Sequence, residues 1–383
     1  MTLTRLAGAY ALVALIVAVV FAAAILGGPF RAVERSDYMT YHVAARIVLA
    51  GDGACLYDAG CQATVQRELI GEEPSFESGA LPFNSPPWLA ALVAPLGVLP
   101  LGIGFAIFTA LGVALLAWGT WRAAAGHVGW GGPAARALAV VLVLTAWPTV
   151  MAVIRGQSTL LVAGLLGLSV GMARYRSGLM LGLSVLKPTL GPIWALWQLV
   201  GGHRRAVGTA LLVALALVAL AAVVASPQSL VDYPQHLYRV AGLDAPGVHV
   251  EEMINWRGAA LRLGAGAWLQ AAGTAITLAG VGWTWWRTRS RHLGAAAAFL
   301  ATPLVIPHAN QHEFVLASIG IVMVVAAAGD RRVALASLAI AAHAILWAGP
   351  VMEATASAWM LFGACLVWLA IAAVLAGRAE AGA

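Results

Sequence analysis

The chain has 383 residues, of which 61% are hydrophobic and only 10% are charged, whereas a soluble globular domain carries about 25% charged residues. This composition excludes a water-soluble enzyme, and it excludes a disordered chain, which needs low hydrophobicity and high net charge. The formal net charge of +6 does not indicate nucleic-acid binding, because the basic residues lie in short loops between apolar runs. Apolar runs of about 20 residues, the length that crosses a bilayer, predict a single all-α, polytopic membrane domain over residues 1–383.

The runs predict a bundle of about 11 or 12 transmembrane spans. The first run, residues 8–27, could instead be a signal peptide, but it is longer than the usual apolar region of one. Residues 88–121 could cross once or twice, and residues 177–200 could form one span or a helical hairpin broken at Lys187-Pro188. The other predicted spans are residues 136–153, 158–173, 206–225, 266–286, 293–306, 313–328, 332–349 and 356–377.

The arginine distribution favours one topology, because cytoplasmic loops carry an excess of Lys and Arg. If residues 88–121 cross the membrane once and residues 177–200 form a hairpin, the short arginine-rich turns lie on the cytoplasmic side. The same topology puts 14 of the 16 acidic residues on the outer face, with the two longest polar loops, residues 28–85 and 226–265. Cys55 and Cys61 could form a disulfide if their loop faces an oxidising compartment. The sequence therefore predicts that chemistry takes place at the outer surface.

The first outer loop begins with a predicted short helix. Ser36 is typical of an N-cap and Gly51 of the residue just past a helix end, so residues 37–50 are expected to form a helix on the membrane surface. Asp37 would lie in the first turn, where the helix dipole favours an ionised carboxylate that can accept a proton from a substrate hydroxyl. The simpler interpretation is that Asp37 only marks a helix start.

Lys187 is the only lysine of the chain and lies at the predicted hairpin tip. An ionisable group at membrane depth indicates a functional site, because its burial is costly unless it is paired. A lipid phosphate is one candidate partner, and the alternative is that the side chain extends to ordinary headgroups. Arg155 and Gln157 lie in a tight connection predicted on the same side.

The remaining polar candidates lie in the second long loop, with Asn255 and Arg257, and in a short turn with His308, His312 and Glu313. No further Cys or His completes a metal site, so no metal is expected, and a hydrogen-bonding role towards phosphate or sugar is favoured. The predicted topology brings these separated segments to one membrane surface. An acid, several cations and hydrogen-bonding groups around an interfacial pocket are what transfer from a lipid phosphate would need.

The order of these residues resembles the bacterial GT-C glycosyltransferases that use polyprenyl-phosphate sugars, especially the mycobacterial-type α-1,2-mannosyltransferases. The similarity covers most of the chain. It departs at Ser85, where the family often has Tyr, and at His312-Glu313, where the family often has two His; the second departure favours His312 over His308 as a single candidate. The matching segments are Asp37-Tyr38, Phe83 to Pro87, Gly156-Gln157, Lys187-Pro188, Asn255 to Gly258 and the His-bearing turn.

The resemblance implies an inverting transfer, without metal or cofactor, from a polyprenyl-phosphate sugar. The first expectation is mannose, moved to a glycolipid or cell-envelope glycan at the outer face of a bacterial plasma membrane. The expected partners are membrane lipids, this donor and this acceptor, and no nucleic acid. The implied site has Asp37 as general base, Lys187, Arg155, Arg257 and His312 at the donor phosphate, and Gln157, Asn255, Tyr41 and Trp88 at the sugar or acceptor.

Other classes of protein fit part of the pattern. A secondary transporter would also have outer-facing polar groups and an intramembrane lysine, but it should place polar residues near the middle of several spans, where this chain has mainly Ala, Leu, Val and Gly. A non-catalytic assembly partner would tolerate loss of Asp37. A polymerase or ligase of lipid-linked oligosaccharides is the alternative within enzymes.

Overall fold

The computed structural model describes residues 3–28, 32–71, 80–125, 132–240, 252–288, 290–347 and 354–378. Within these ranges the chain is helical and contains no β-strand, which confirms the predicted all-α fold. Parts of the two predicted outer loops, residues 29–31, 72–79 and 241–251, lie outside the described residues. The α-helices are α1 (Leu3–Leu26), α2 (Asp37–Leu49), α3 (Ala59–Ile70), α4 (Pro87–Val93), α5 (Leu101–Ala125), α6 (Gly132–Leu144), α7 (Trp147–Ile154), α8 (Thr159–Val170), α9 (Arg174–Leu183), α10 (Pro192–Val200), α11 (Arg204–Val224), α12 (Pro227–Val240), α13 (Trp256–Arg262), α14 (Gly266–Arg287), α15 (Arg291–Val305), α16 (Val315–Ala327), α17 (Arg332–Leu346) and α18 (Ala354–Arg378).

Short 3-10 helices at Gly53–Cys55, Ala94–Val98, Ser184–Leu186, Gln311–Phe314 and Gly329–Arg331 complete the described regular structure. Within the described ranges, four helices are long and apolar enough to cross a membrane: α1, α5, α11 and α18. The pair α6 and α7 also qualifies as one span, with a bend of 57° between the two helices. The protein is therefore a multi-pass membrane protein, and the predicted total of 11 or 12 crossings stays a prediction.

Residues 177–200 form the predicted helical hairpin. Helices α9 and α10 are separated by a turn that contains Pro188, and proline interrupts a helix because it has no backbone N–H and its ring clashes with the preceding turn. Gln198 near the end of α10 donates a side-chain hydrogen bond to Ser177 at the start of α9, with 3.3 Å between Nε2 and Oγ. The second helix therefore returns along the first, and Lys187 lies at the tip.

The short helix predicted at residues 37–50 is α2, and Gly51 after it has the left-handed φ of 82°. Most of its residues are buried within the protein, so α2 does not lie free on a surface, and its position at the membrane surface stays a prediction. Tyr38 is fully buried and makes edge contact with Phe105 of α5. A helix with apolar or aromatic groups around most of its circumference is stable only inside a fold. Asp37 therefore lies at the start of a helix that packs against the rest of the protein on several sides.

Helices α5 and α8 pack closely because glycines face each other across their interface. A Cβ added to Gly119 would lie 2.3 Å from the backbone oxygen of Gly164. Small residues allow such close approach of helix backbones within membranes. At the far end of this pair Arg122 Nη2 donates to the Gly171 carbonyl at 3.3 Å. The pair thus forms a rigid connection from the α2 end of the protein to an arginine-bearing end.

Candidate active site

A cavity of about 480 Å³ lies where the start of α2, the α7–α8 connection, the hairpin tip and helix α12 meet. Asp37, Tyr41 and Gln157 line it together with Lys187 and His312, so the structure brings together these sequence-predicted candidates. The role of each in catalysis stays a prediction. Further lining residues are Thr40, Pro82, Asn84, Ser85, Pro86, Pro188, Thr189, Tyr233, Leu237, Val240, Met253, His308, Asn310 and Glu313.

Asp37 is held against the α7–α8 connection by side-chain and backbone contacts. Gln157 Nε2 donates to Asp37 Oδ2 at 2.5 Å, and the backbone N–H of Tyr38 donates to the carbonyl of Arg155 at 3.3 Å. Gly156 between them has a left-handed φ of 59°, and a Cβ there would lie 2.7 Å from Tyr38 Cβ. Only glycine fits both requirements, so the Gly-Gln pair fixes the position of the carboxylate.

Lys187 is partly buried at the hairpin tip and is paired within the protein. Its Nζ donates to Gln157 Oε1 at 3.2 Å, to Thr159 Oγ1 at 2.8 Å and to the Glu313 carboxylate. Glu313 therefore supplies a negative charge for Lys187 within the protein, and a further contact of Lys187 with a lipid phosphate stays a prediction. Thr159 is the first residue of α8, so the lysine also ties the hairpin tip to that helix.

Glu313 is the residue that sequence reasoning assigned least well, as part of a rejected metal site. Its Oε1 lies 2.9 Å from His312 Nε2, and its Oε2 accepts the backbone N–H of Asn310 at 2.8 Å. Asn310 and Glu313 form a reciprocal capping box, which the Asn-x-x-Glu spacing before an apolar run could have indicated. One buried carboxylate therefore serves both as a helix cap and as the counterion of Lys187.

His308 and Tyr41 add hydrogen-bonding groups to the cavity. The hydroxyl of Tyr41 lies 3.3 Å from Ser158 Oγ, and Arg257 Nη1 lies 3.3 Å from His308 Nε2. Burial and then the Arg257 guanidinium lower the pKa of His308, and Glu313 only opposes this shift. His308 is therefore an uncharged ring at neutral pH, whose Nε2 accepts from Arg257.

Four of the residues predicted to contact substrate do not line the cavity. Arg155 forms a partly exposed ion pair with Glu252, with 3.3 Å between Nη2 and Oε2, and Arg257 reaches the cavity only through His308. Asn255 caps α13 by accepting the Gly258 N–H at 2.8 Å, and its assignment to the sugar or acceptor stays a prediction. Its Nδ2 is also used within the protein, since it donates to the Ile306 carbonyl at 2.6 Å.

Trp88, the fourth of these residues, donates its indole N–H to the Val185 carbonyl at 2.8 Å, and this contact anchors the start of α4 to the hairpin. An indole has a single donor, so the ring is not available for hydrogen bonding to a sugar from that position. The assignment of Trp88 to the sugar or acceptor stays a prediction. Sequence reasoning could not separate these roles, because an interfacial tryptophan suits both.

The opposite wall of the cavity comes from α12 and the Pro82–Pro86 segment. Tyr57 stacks on Tyr233 of α12 and donates its hydroxyl to the Ser85 carbonyl at 2.8 Å. His236 Nε2 lies 2.7 Å from Asn84 Oδ1. Burial and then Arg239 lower the pKa of His236 to about 4, so the neutral ring donates to the amide oxygen. The sequence indicated the segment Phe83 to Pro87 but not α12, which has no motif of its own.

The disulfide that the sequence allowed is present between Cys55 and Cys61. It connects the 3-10 helix before Tyr57 to the first turn of α3. The disulfide thus cross-links residues 53–61, next to Tyr57 of the aromatic wall. Cys365, the remaining cysteine, is buried and forms no disulfide.

Residues 83–307, which are more than half of the chain, match glycosyltransferase family 87. The chain belongs to this family. The family is of the GT-C type, so the protein is a GT-C glycosyltransferase, and the alternative of a transporter is set aside. The match covers Gln157 and Lys187, while Asp37 and the His308–Glu313 turn lie outside it. No curated protein and no solved structure matches the chain.

Proposed function

We propose that this family 87 protein is an inverting glycosyltransferase that moves a sugar, with mannose as the first candidate, from a polyprenyl-phosphate donor to a glycolipid or envelope glycan. The observation that carries the proposal is the cavity in which the Asp37 carboxylate and the Lys187 ammonium group are joined through the amide of Gln157. A base on one side and a cation on the other are what displacement at an anomeric carbon requires.

In the proposed reaction the acceptor hydroxyl gives its proton to Asp37 while its oxygen forms a bond to the anomeric carbon. The bond between that carbon and the phosphate oxygen breaks at the same time, and its electron pair leaves with polyprenyl phosphate. Attack and departure on opposite faces of the ring invert the anomeric configuration. Gln157 holds Oδ2 of Asp37, which leaves Oδ1 as the oxygen that accepts the proton.

The leaving phosphate gains negative charge as the bond breaks, and prearranged donors stabilise that charge. Lys187 is the nearest candidate, and a phosphate oxygen would replace its 3.2 Å contact with Gln157 while Glu313 stays bound. His312 would donate from the same turn, and Arg257 would act through His308 at the edge of the cavity. Arg155, which is paired with Glu252, would stabilise the phosphate charge from a longer distance.

The outer face of a bacterial plasma membrane is the proposed location of the reaction. Two observations support this side. The Cys55–Cys61 disulfide lies next to the cavity, and disulfides persist in oxidising compartments. Arginines occupy the opposite end of the α5–α8 pair, as Arg122 illustrates, and basic residues favour the cytoplasmic side. The apolar and aromatic wall from α12 would receive the first isoprene units of the donor.

The test is transfer of a labelled sugar in membranes that contain the protein. Polyprenyl phosphates carrying mannose, arabinose or glucose are supplied one at a time, and nucleotide-activated forms of the same sugars serve as comparison donors. We expect label to reach lipid or glycan from one polyprenyl-phosphate donor with the wild-type protein, and not with Asp37→Asn. Transfer that occurs only from nucleotide-activated sugars would overturn the proposed donor class.

A further inference from the structure

A second cavity, of about 570 Å³, lies at the other end of the α5–α8 pair from the candidate active site. The arginines that line it are Arg122 near the end of α5 and Arg174 and Arg176 at the start of α9. At about 1.5 Å per helical residue, Arg122 lies about 25 Å along α5 from Phe105, which touches Tyr38 beside the first cavity. This separation approaches the thickness of a bilayer core, about 30 Å.

The charge of the second cavity is unbalanced. The sequence has no Asp or Glu between Glu77 and Asp232, a stretch that contains the whole lining. No carboxylate from the described part of the chain reaches the cavity either. Among the described contacts the only hydrogen bond from these three guanidinium groups is the one from Arg122 to the Gly171 carbonyl. Arg174 and Arg176 are exposed, so most of their N–H groups are accessible to solvent or a ligand.

Two aromatic side chains frame the arginines. Trp118 is 54% exposed and Tyr175 is 59% exposed, and both line the cavity. Tryptophan and tyrosine with this exposure are typical of the zone where a protein meets lipid headgroups. Guanidinium groups match phosphate oxygens in bidentate pairs, which a point charge on lysine does not do. The cavity thus combines phosphate chemistry with a headgroup-level position.

We propose that this arginine cavity, lined by Arg122, Arg174 and Arg176, binds an anionic phosphate group at the end of the protein opposite to the transferase site. The phosphate could be carried by an anionic lipid headgroup or be free in solution, and the chemistry of recognition is the same. The aromatic frame favours the lipid. This site is independent of the proposed sugar transfer, because none of its residues lines the first cavity.

The test measures thermal unfolding of the full-length protein in detergent micelles at constant ionic strength. One arm adds phosphatidylglycerol, one adds inorganic phosphate, and one adds phosphatidylcholine, whose choline neutralises the phosphate charge. We expect phosphatidylglycerol to raise the unfolding midpoint by about 2–5 °C over phosphatidylcholine, as for a ligand bound well above its dissociation constant. Native mass spectrometry should show the same lipid retained on the protein.

The variant Arg122→Gln/Arg174→Gln/Arg176→Gln should lose most of this rise and the retained lipid. The matched control, Arg204→Gln/Arg205→Gln/Arg331→Gln, removes three exposed arginines that do not line the cavity and should keep both. An equal rise with inorganic phosphate would support the site and assign a soluble ligand. The proposal fails if no phosphate compound exceeds phosphatidylcholine, or if the two variants respond alike.

Discussion

Asp37 is the residue on which the proposed chemistry depends most. Asp37→Asn keeps the size of the side chain, and its amide oxygen can still accept from Gln157, but it cannot take up a proton from an acceptor. Sugar transfer should therefore fall by about 100-fold or more, which is the usual contribution of a general base. The unfolding midpoint should stay close to that of the wild type. Both are measured on the same purified protein.

Asp52→Asn is the matched control for this prediction. Asp52 is exposed just beyond the other end of α2, and its side chain does not cap the 3-10 helix that follows it. Its amide variant should transfer sugar at the wild-type rate. Asp58 is a weaker candidate base than Asp37, because it caps α3 by accepting the Cys61 N–H at 2.8 Å. A loss of only a few-fold in Asp37→Asn would exclude the assignment of the base.

Gln157 positions the carboxylate, because the two ends of its side-chain amide face opposite charges. Its Nε2 donates to Asp37 and its Oε1 accepts from Lys187, so the amide can adopt only one orientation. Gln157→Glu would place a second negative charge beside Asp37, which favours protonation of the pair. The acid limb of the pH–rate profile should therefore move to higher pH, with activity lost earlier as the pH falls. An unchanged acid limb with a lower plateau would indicate a role in substrate binding alone.

Several cavity residues could be predicted from sequence because a polar group next to an apolar run is visible in the chain itself. Asp37, Gln157 and Lys187 were found in this way. The helix cap formed by Asn255 was not, because an amide suits a helix cap and a sugar equally well, and only the approach of Gly258 and Ile306 shows the cap. The partner of Lys187 was also hidden, since Glu313 lies far along the sequence and meets it only through the fold.

At the scale of elements, the ion pair of Lys187 and Glu313 ties the hairpin tip to the 3-10 helix before α16. Removing one partner of such a buried pair leaves the other charge without compensation, which costs about 3–5 kcal/mol. Lys187→Met and Glu313→Gln should each lower the unfolding midpoint by several degrees. The double variant should lose less than the sum of the two, because the contacts are shared.

The ion pair of Arg155 and Glu252 is the matched control for this cycle. Its side chains are 34% and 30% exposed, whereas those of Lys187 and Glu313 are 22% and 4% exposed. Water screens a pair of that exposure, so Arg155→Gln/Glu252→Gln should cost about 1 kcal/mol or less, with additive single effects. Additive effects in the Lys187–Glu313 cycle would show instead that the two groups do not stabilise each other.

The ends of helices could be predicted from the sequence where proline or glycine marks them. Whether a helix is buried in the protein could not be predicted in this way. The hairpin at Lys187-Pro188 and the end of α2 near Gly51 were predicted because these residues impose backbone conformations. The burial of α2 was not predicted, since its moderate polarity also suits a membrane surface. What buries it is the aromatic packing of Tyr38 on Phe105 and Phe108, which depends on distant sequence.

At the scale of the whole molecule, the α5–α8 pair separates two regions of opposite chemistry. One end has the cavity with Asp37 and the disulfide, and the other has the arginine cavity with Arg122. Composition and arginine placement predicted this polarity, because both are properties of long segments. The number of crossings is harder to predict, since α8 has 12 residues and a length of only about 18 Å, which spans a bilayer core of about 30 Å only with neighbouring segments.

The two ends of the protein are expected to lie on opposite sides of the membrane. Single cysteines at Thr64 and Gln235 should react with a membrane-impermeant maleimide in intact cells, because both side chains are exposed and belong to the predicted outer loops. Cysteines at Tyr175 and Arg331, equally exposed at the arginine-bearing end, should react only after the cells are permeabilised. Background labelling should be low, since Cys55 and Cys61 are joined and Cys365 is buried. Labelling of Tyr175→Cys in intact cells would show that the topology is the reverse of the predicted one. The site of Asp37 would then face the cytoplasm, and its donor would come from the cytoplasmic leaflet.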